Sequence, residues 1–384
     1  MTDGQALYLT LLVLIVLEAV AWVPRGAVAL VARGARTRAH VALPHRTLGN
    51  ARGGAVLGVP LLPSAATFLV PQWPVSLAPQ GVLGAVAECL EPAERPPHTG
   101  LFRRFDAITR VTVLGNEVRL DGELLVQAAT PALAAQVAAF LDQLRKLPED
   151  ARAAAIDAHL AAQLDLDAAR ARVTSFYRET AWLRGAGLAL ALVALVVAPA
   201  LFVHFGPERA WLPVLLALYL GTFAITALWL RAYPRVAPES RLGRWSSAFM
   251  LALLPVSAMR AVDALARVAL TGVHPLAAAA ALVPRDDLTP FVAHLLRDAR
   301  WPLRPACPGD DPEAQAVEAA YRQALGRHLD TLVRALGLDP DALAAVPPPS
   351  GEIDDERCCP RCHACYGAGA ATCEDCGGIP LVRA

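Results

Sequence analysis

The chain has 384 residues, of which 55% are hydrophobic and 18% are charged. This is more apolar and less charged than an ordinary soluble domain, and the excess lies in a few long runs of the kind that cross membranes. The 35 basic and 35 acidic residues balance, which excludes an overall polyanion-binding character. Lys146 is the only lysine, which excludes lysine chemistry elsewhere in the chain.

The first apolar run extends from Gln5 to Val23 and is interrupted only by Glu18. It is about long enough to cross a bilayer as a helix, so residues 1–24 are predicted to form a transmembrane anchor. A cleaved signal peptide is the alternative, because Ala19-Val20-Ala21 could serve as its cleavage site. The arginines follow this run instead of preceding it. The positive-inside rule therefore places the N-terminus outside and the arginine-rich flank in the cytoplasm.

Residues 25–148 are predicted to form a small cytoplasmic sheet-plus-helix domain. Prolines interrupt the uncharged stretch 53–87, which favours short strands and turns. Thr130 is expected to cap a helix that begins at Pro131, and residues 149–183 are predicted to form a helical connector. Before this helix, two turn dipeptides separate three predicted strands, Ile108–Leu114, Glu117–Leu120 and Glu123–Val126.

Two uncharged runs, Ala186 to Phe205 and Ala210 to Leu230, are each about one bilayer thick. Only Gly206 to Arg209 separates them, so residues 184–231 are predicted to form a transmembrane helical hairpin. Arginines flank this segment on both sides and the connection is neutral. Both flanks are therefore predicted to lie in the cytoplasm.

Residues 232–284 are predicted to form interfacial or re-entrant helices. The uncharged stretch from Trp245 to Met259 is short and contains Pro255. An interfacial amphipathic helix, a re-entrant pair and two short spans all fit, and each returns the chain to the cytoplasm. Residues 285–346 are predicted to be a cytoplasmic helical region, followed by a linker over residues 347–357.

Six of the eight cysteines lie between Cys358 and Cys376. Two Cys-x-x-Cys pairs are separated by ten residues. A two-residue spacing lets a tight turn present both sulfurs to one metal ion while backbone N–H groups face the thiolates. Two such turns supply the tetrahedral set of four thiolates that Zn²⁺ accepts in structural sites. The predicted metal ligands are Cys359, Cys362, Cys373 and Cys376.

This final segment, residues 358–384, resembles the zinc-ribbon family over about 25 residues. The resemblance implies a small β-hairpin fold around one structural zinc ion. His363 departs from the family pattern, which has glycine at that position of the first turn, and it could compete as a ligand. Cys358 and Cys365 are in excess of the four ligands, and Cys362-x-x-Cys365 offers a second possible pair. The competing interpretations of the segment are a loose thiol-rich tail and rubredoxin-like iron binding.

The fold class that emerges is an α+β membrane protein. It has an N-terminal anchor, a cytoplasmic α/β region, a helical transmembrane hairpin and a C-terminal zinc ribbon. These features predict a multi-pass protein of the bacterial cytoplasmic (inner) membrane, with its C-terminus in the cytoplasm. The lipid bilayer is its first expected partner.

A site of four thiolates leaves no coordination position for a reacting water, and no catalytic motif is present. Residues 352–384 carry six acids and three arginines, a net charge of −3 that argues against nucleic acid and for protein partners. The leading hypothesis is a non-enzymatic scaffold. A second hypothesis is a membrane enzyme or transport component that uses Glu18, Arg260 and Asp263. A third is a redox sensor that uses Cys358 and Cys365.

Overall fold

The chain folds as an α+β protein in a computed structural model, and its strands and helices follow the chain in several small sheets and helical groups. The structure describes residues 6, 9–10, 13, 20–24, 26–32, 40–42, 53–57, 66–84, 100–237, 244–301, 311–346, 357–367, 369–376 and 378–383.

The elements of the described residues are numbered in chain order. The strands are β1 (Val20–Pro24), β2 (Ala27–Ala32), β3 (His40–Ala42), β4 (Gly53–Leu57), β5 (Ala66–Pro71), β6 (Val75–Ala78), β7 (Gly81–Gly84), β8 (Phe102–Arg104), β9 (Val111–Leu114), β10 (Glu117–Leu120), β11 (Glu123–Gln127), β12 (Arg357–Cys358), β13 (Cys365–Tyr366), β14 (Thr372–Cys373), β15 (Ile379–Pro380) and β16 (Val382–Arg383). The helices are α1 (Pro131–Leu144), α2 (Glu149–Gln163), α3 (Leu166–Glu179), α4 (Ala181–Phe205), α5 (Pro207–Val236), α6 (Arg244–Leu253), α7 (Pro255–Met259), α8 (Ala261–Ala269), α9 (Pro275–Leu282), α10 (Arg285–Arg300), α11 (Pro312–Ala335) and α12 (Pro340–Ala344).

The chain divides into two compact units, each assembled from separate stretches of sequence, whereas the predicted segments run in chain order. The first, called the hairpin unit, contains Met1–Gln72, Ala129–Leu133 and Asp167–Pro284. The second, called the ribbon unit, contains Trp73–Ala128, Ala134–Leu166 and Arg285–Ala384.

The sheets of the hairpin unit are antiparallel. Strand β1 pairs with β4, and β2 lies between β3 and β5. Every residue of β2 and β5 is buried, because helices cover this sheet. Phe176 of α3 meets Phe68 of β5 edge-on, with ring centroids 4.8 Å apart.

The predicted N-terminal membrane helix is wrong at its C-terminal end. Val20–Pro24 forms strand β1, and Val23 is fully buried in a small core with Leu69. β-branched and aromatic residues favour strands, and Pro24 disfavours a helix because it cannot donate a backbone hydrogen bond. Helical geometry is present at positions 6, 9, 10 and 13. The remainder of the predicted anchor, including Glu18, lies outside the described residues.

Asp263 fastens helix α8 to strand β5. Its Oδ1 accepts a hydrogen bond from the backbone N–H of Thr67 at 2.7 Å. Its Oδ2 accepts from Arg260 at 3.1 Å and from Arg267 at 2.9 Å. The carboxylate is only 2% exposed, so these three donors replace the water it loses on burial.

The predicted hairpin corresponds to α4 and α5, two helices that are long and apolar enough to cross a membrane. The most apolar windows of these helices are only 28% and 22% buried, unlike the core helix of a soluble protein. Gly206 alone joins them, at φ +78°, because Pro207 already occupies the first helical position of α5. A π-helical turn at Val193–Val197 precedes Pro199, a residue that cannot donate a helical hydrogen bond.

In the ribbon unit, the three predicted strands are confirmed as the antiparallel sheet β11-β10-β9. Strand β9 begins at Val111, later than predicted, because the N–H groups of Thr109 and Arg110 bind the Asp121 carboxylate instead of a strand partner. A second antiparallel sheet has the order β6-β7-β8.

The helix predicted after Thr130 is also confirmed as α1. The Thr130 hydroxyl accepts the N–H of Leu133 at 3.2 Å. This bond satisfies one of the backbone donors that the first turn of a helix leaves unpaired.

Buried Arg152 ties helix α2 to its surroundings in the ribbon unit. Its guanidinium donates to the carbonyls of Leu144, Leu147 and Pro79 and pairs with Asp106 at 2.8 Å. It is 5% exposed, and these acceptors replace the water that the guanidinium loses on burial.

His159 is held between aromatic rings in the same unit. Phe140 stacks on it at 4.1 Å, and Trp73 meets it edge-on at 4.3 Å between centroids. The Gln163 amide donates to its Nε2 at 2.8 Å, which requires an unprotonated ring nitrogen. Burial lowers the pKa of His159 to about 4 from its ordinary value near 6.5.

We therefore expect the free energy of unfolding to depend on pH through His159. Because the folded-state pKa is depressed, the stabilisation from neutral His159 is fully present above pH 6.5 and is lost as the pH falls towards 4. Within this interval the free energy of unfolding changes by up to about 1.4 kcal/mol per pH unit. The free energy of unfolding of a His159→Phe variant, measured by denaturant titration, should fall less steeply across this interval than that of the wild-type chain. Parallel curves for the two proteins would contradict this role of His159.

Candidate metal centre

The C-terminal segment is built from very short strands. Strand β12 lies between β13 and β16, and β14 pairs with β15. The first Cys-x-x-Cys turn starts at Cys359, directly after β12, and the second starts at Cys373, the last residue of β14. Both turns thus leave the end of a strand, which fixes where their sulfurs point.

The structure brings the four predicted ligands together. The Sγ atoms of Cys359, Cys362, Cys373 and Cys376 lie within 4.8 Å of one another. Three of these cysteines are buried and Cys362 is exposed. Four sulfurs at this separation can hold one metal ion in the interior of the cluster.

Backbone geometry shapes both turns. The N–H of His363 donates to the carbonyl of Cys359, and the N–H of Gly378 donates to that of Cys373, both at 2.9 Å. His363 and Gly378 have φ values of +62° and +91°. His363 therefore adopts the left-handed conformation for which glycine is the usual residue, at a cost of about 1 kcal/mol. Gly377 lies outside the described residues.

The thiols influence one another's ionisation. Burial raises the pKa of Cys362, and burial and the neighbouring sulfurs raise that of Cys376. Burial acts on Cys373 too, but hydrogen bonds from the Tyr366 hydroxyl, 3.4 Å from its sulfur, and from the Cys376 N–H lower its pKa overall. These thiols do not all ionise together without a cation, and metal binding supplies the charge that would release their protons.

The competing ligands considered from the sequence lie elsewhere. Both ring nitrogens of His363 are 3.3 Å from Nη1 of Arg297, outside the sulfur cluster. Cys358 and Cys365 are register partners on β12 and β13 and form a disulfide. The second possible pair, Cys362-x-x-Cys365, is thereby separated. Cys89 and Cys307, the two isolated cysteines, lie outside the described residues.

Helix α10 and the residue after it hold the segment in place. Arg361, within the first turn, is 9% exposed. It donates to the carbonyl of Trp301 at 3.0 Å and pairs with Asp298 at 3.2 Å. The Trp301 side chain packs against the cluster formed by the buried cysteines and Ile379.

Sequence reasoning missed both Arg361 and Trp301. Arg361 occupies a variable position of the Cys-x-x-Cys spacing, and Trp301 lies 60 residues earlier in the chain. No local pattern links the two positions, so no sequence signal could have found them.

Comparisons with protein-family models, curated proteins and solved structures give no match to this chain. The metal centre is therefore defined by its own geometry, which is that of a zinc-ribbon-like cluster of four cysteines.

We expect Cys373→Ser to remove most of the bound zinc from the full-length protein, because the variant loses one of four thiolates and the sulfur that Tyr366 supports. Cys358→Ser is the matched control, since Cys358 lies next to a ligand in sequence but outside the cluster. Zinc per chain, measured by elemental analysis after dialysis, should fall in the first variant and remain near one in the control. Equal stoichiometry in both variants would contradict the four-cysteine site.

Proposed function

We propose that this protein is a non-enzymatic, multi-pass scaffold of the bacterial cytoplasmic membrane whose zinc ribbon presents an acidic surface to protein partners. The observation that carries the proposal is the four-cysteine cluster, closed on itself and held against the end of α10. The contacts with α10 make the zinc ribbon an ordered part of the ribbon unit. The exposed residues of the zinc ribbon therefore have defined positions.

The chemistry of the donor set supports zinc as the metal. Four thiolates match the tetrahedral preference of Zn²⁺ and leave no position for water or substrate. Such a site stabilises structure and does not catalyse. The residues that would hold the ion are Cys359, Cys362, Cys373 and Cys376.

The hairpin supports the membrane location. The exposed apolar faces of α4 and α5 would be costly in water and favourable in lipid. The arginines at both ends of the hairpin place these ends in the cytoplasm by the positive-inside rule. No further crossing is proposed between the hairpin and the ribbon, so the ribbon is then cytoplasmic as well.

The charge on the ribbon indicates the kind of partner. Glu374 and Asp375 are exposed between the two cysteines of the second turn. A zinc ion with four thiolates adds a further formal charge of about −2. This surface repels phosphates and favours a basic protein segment.

The hypothesis of a membrane enzyme or transport component gains no support from Asp263. Both of its oxygens are engaged by Thr67, Arg260 and Arg267, so it fastens secondary structure and is not free for chemistry.

The partner surface is tested with a pair of neutralised variants. Glu374→Gln with Asp375→Asn should weaken partner capture from native membranes about tenfold, since two favourable charges are lost, while zinc content stays unchanged. The matched control neutralises Glu149 and Asp150, an exposed acidic pair at the start of α2, and should capture the partner normally. Capture that is equal in the two variants would contradict the proposed surface.

The hypothesis of a redox sensor gains no support from the disulfide. The Cys358–Cys365 bond is closed in the structure, and the four ligand sulfurs nevertheless lie within 4.8 Å of one another.

A further inference from the structure

Helix α6 lies antiparallel along α5, aligned at both ends by hydrogen bonds. At its start, Nη2 of Arg244 donates to the carbonyl of Leu230 at 2.9 Å. At its end, the hydroxyl of Tyr219 reaches the carbonyl of Leu253 at 3.5 Å. The chain therefore leaves the end of α5 and runs back beside it for the whole length of α6.

The outer face of α6 is apolar and unusually exposed. Ala248 and Leu251 on its inner side are buried. The exposed large apolar residues share one helical face with the exposed Ser246, and they are Trp245 (70%), Phe249 (64%), Met250 (47%) and Leu253 (49%). No charged residue occurs between Trp245 and Met259. This composition suits hydrocarbon and not water.

The alignment fixes how deep α6 would reach. Leu230 ends the apolar run of α5, since Arg231 follows it. Tyr219 lies eleven residues away along α5, which at 1.5 Å per residue is about 16 Å. This is about half the thickness of the hydrocarbon core. Leu253, beside Tyr219, would therefore lie near the middle of the bilayer.

The chain then turns back. Pro255 begins α7. Arg260 follows α7 and donates to Asp263, whose carboxylate accepts a backbone N–H of strand β5. A helix end inside hydrocarbon leaves carbonyls without water, and such backbone is tolerated only when protein groups satisfy it. The Tyr219 hydroxyl supplies a donor for the carbonyl of Leu253 at this point. The same contact gives this hydroxyl, a polar group in the middle of α5, a hydrogen-bond partner.

From this geometry we propose that α6 and α7 form a re-entrant pair whose apolar face contacts lipid acyl chains down to the middle of the bilayer. The chain enters on the side of Arg231 and returns to that side through α7 and then α8, since the five residues of α7 rise only about 8 Å. The pair therefore adds no crossing. Trp245 lies at the entry, with the Arg244 guanidinium 5.5 Å from its ring, as suits an indole at a membrane interface. This inference rests on the proposed insertion of the hairpin.

Depth measurement tests the pair in the full-length protein in phosphatidylcholine–phosphatidylglycerol vesicles. A nitroxide is attached through p-acetylphenylalanine, which leaves the cysteines untouched, at Phe249 and at Leu253. Phe223 of α5, which is 56% exposed, is the matched control, because it lies four residues from Tyr219 just as Phe249 lies four from Leu253. The readout is the ratio of oxygen to nickel-chelate accessibility.

We expect Phe249 to match Phe223 in depth and Leu253 to lie about 6 Å deeper. A lipid-like signal at Phe223 with water-like or interfacial signals at Phe249 and Leu253 would overturn the re-entrant pair and leave the hairpin intact. Water-like signals at all three positions would instead overturn the membrane insertion on which the pair depends.

Discussion

Four thiol groups confined within 4.8 Å of one another form the constraint on which the C-terminal segment depends. The surrounding strands are only two residues long, too short to supply a hydrophobic core of their own. Structural zinc in small domains contributes about 10–16 kcal/mol of apparent binding free energy, as much as the whole stability of a typical domain. A metal ion held by the cluster would therefore be the largest single contribution to the stability of the segment.

The position of the four-cysteine cluster also fixes the positions of residues next to it. Arg361 lies in the first turn and is bound to Asp298 and to the carbonyl of Trp301, so the geometry of the metal site sets the position of a buried guanidinium. The Trp301 side chain also packs against the buried cluster that contains Cys373 and Cys376, the two cysteines that flank the exposed acids Glu374 and Asp375. The cysteine cluster, burial against α10 and the position of the exposed acids are thus linked through neighbouring residues.

Elements defined by local signals could be predicted from the sequence. Uncharged runs of bilayer length marked α4 and α5, a hydroxyl followed by proline marked the start of α1 at Thr130, and paired spacing marked the four cysteines. Each signal lies within the element it specifies, so no distant partner was needed to recognise it.

Features that depend on distant partners could not be predicted. The strand Val20–Pro24 forms because Gly53–Leu57 pairs with it, although the sequence before it reads as a membrane helix. Asp263 finds Thr67 across 196 residues. Helix α6 is aligned by a tyrosine in the middle of an apolar run, where the sequence left three arrangements open.

The closed site of four thiolates is tested most directly by X-ray absorption at the zinc edge of the purified full-length protein. We predict a first shell of four sulfurs at about 2.3 Å and no nitrogen. A shell of three sulfurs and one nitrogen would bring His363 into the site and contradict the ligand set, and an absence of bound zinc would contradict the site as a whole.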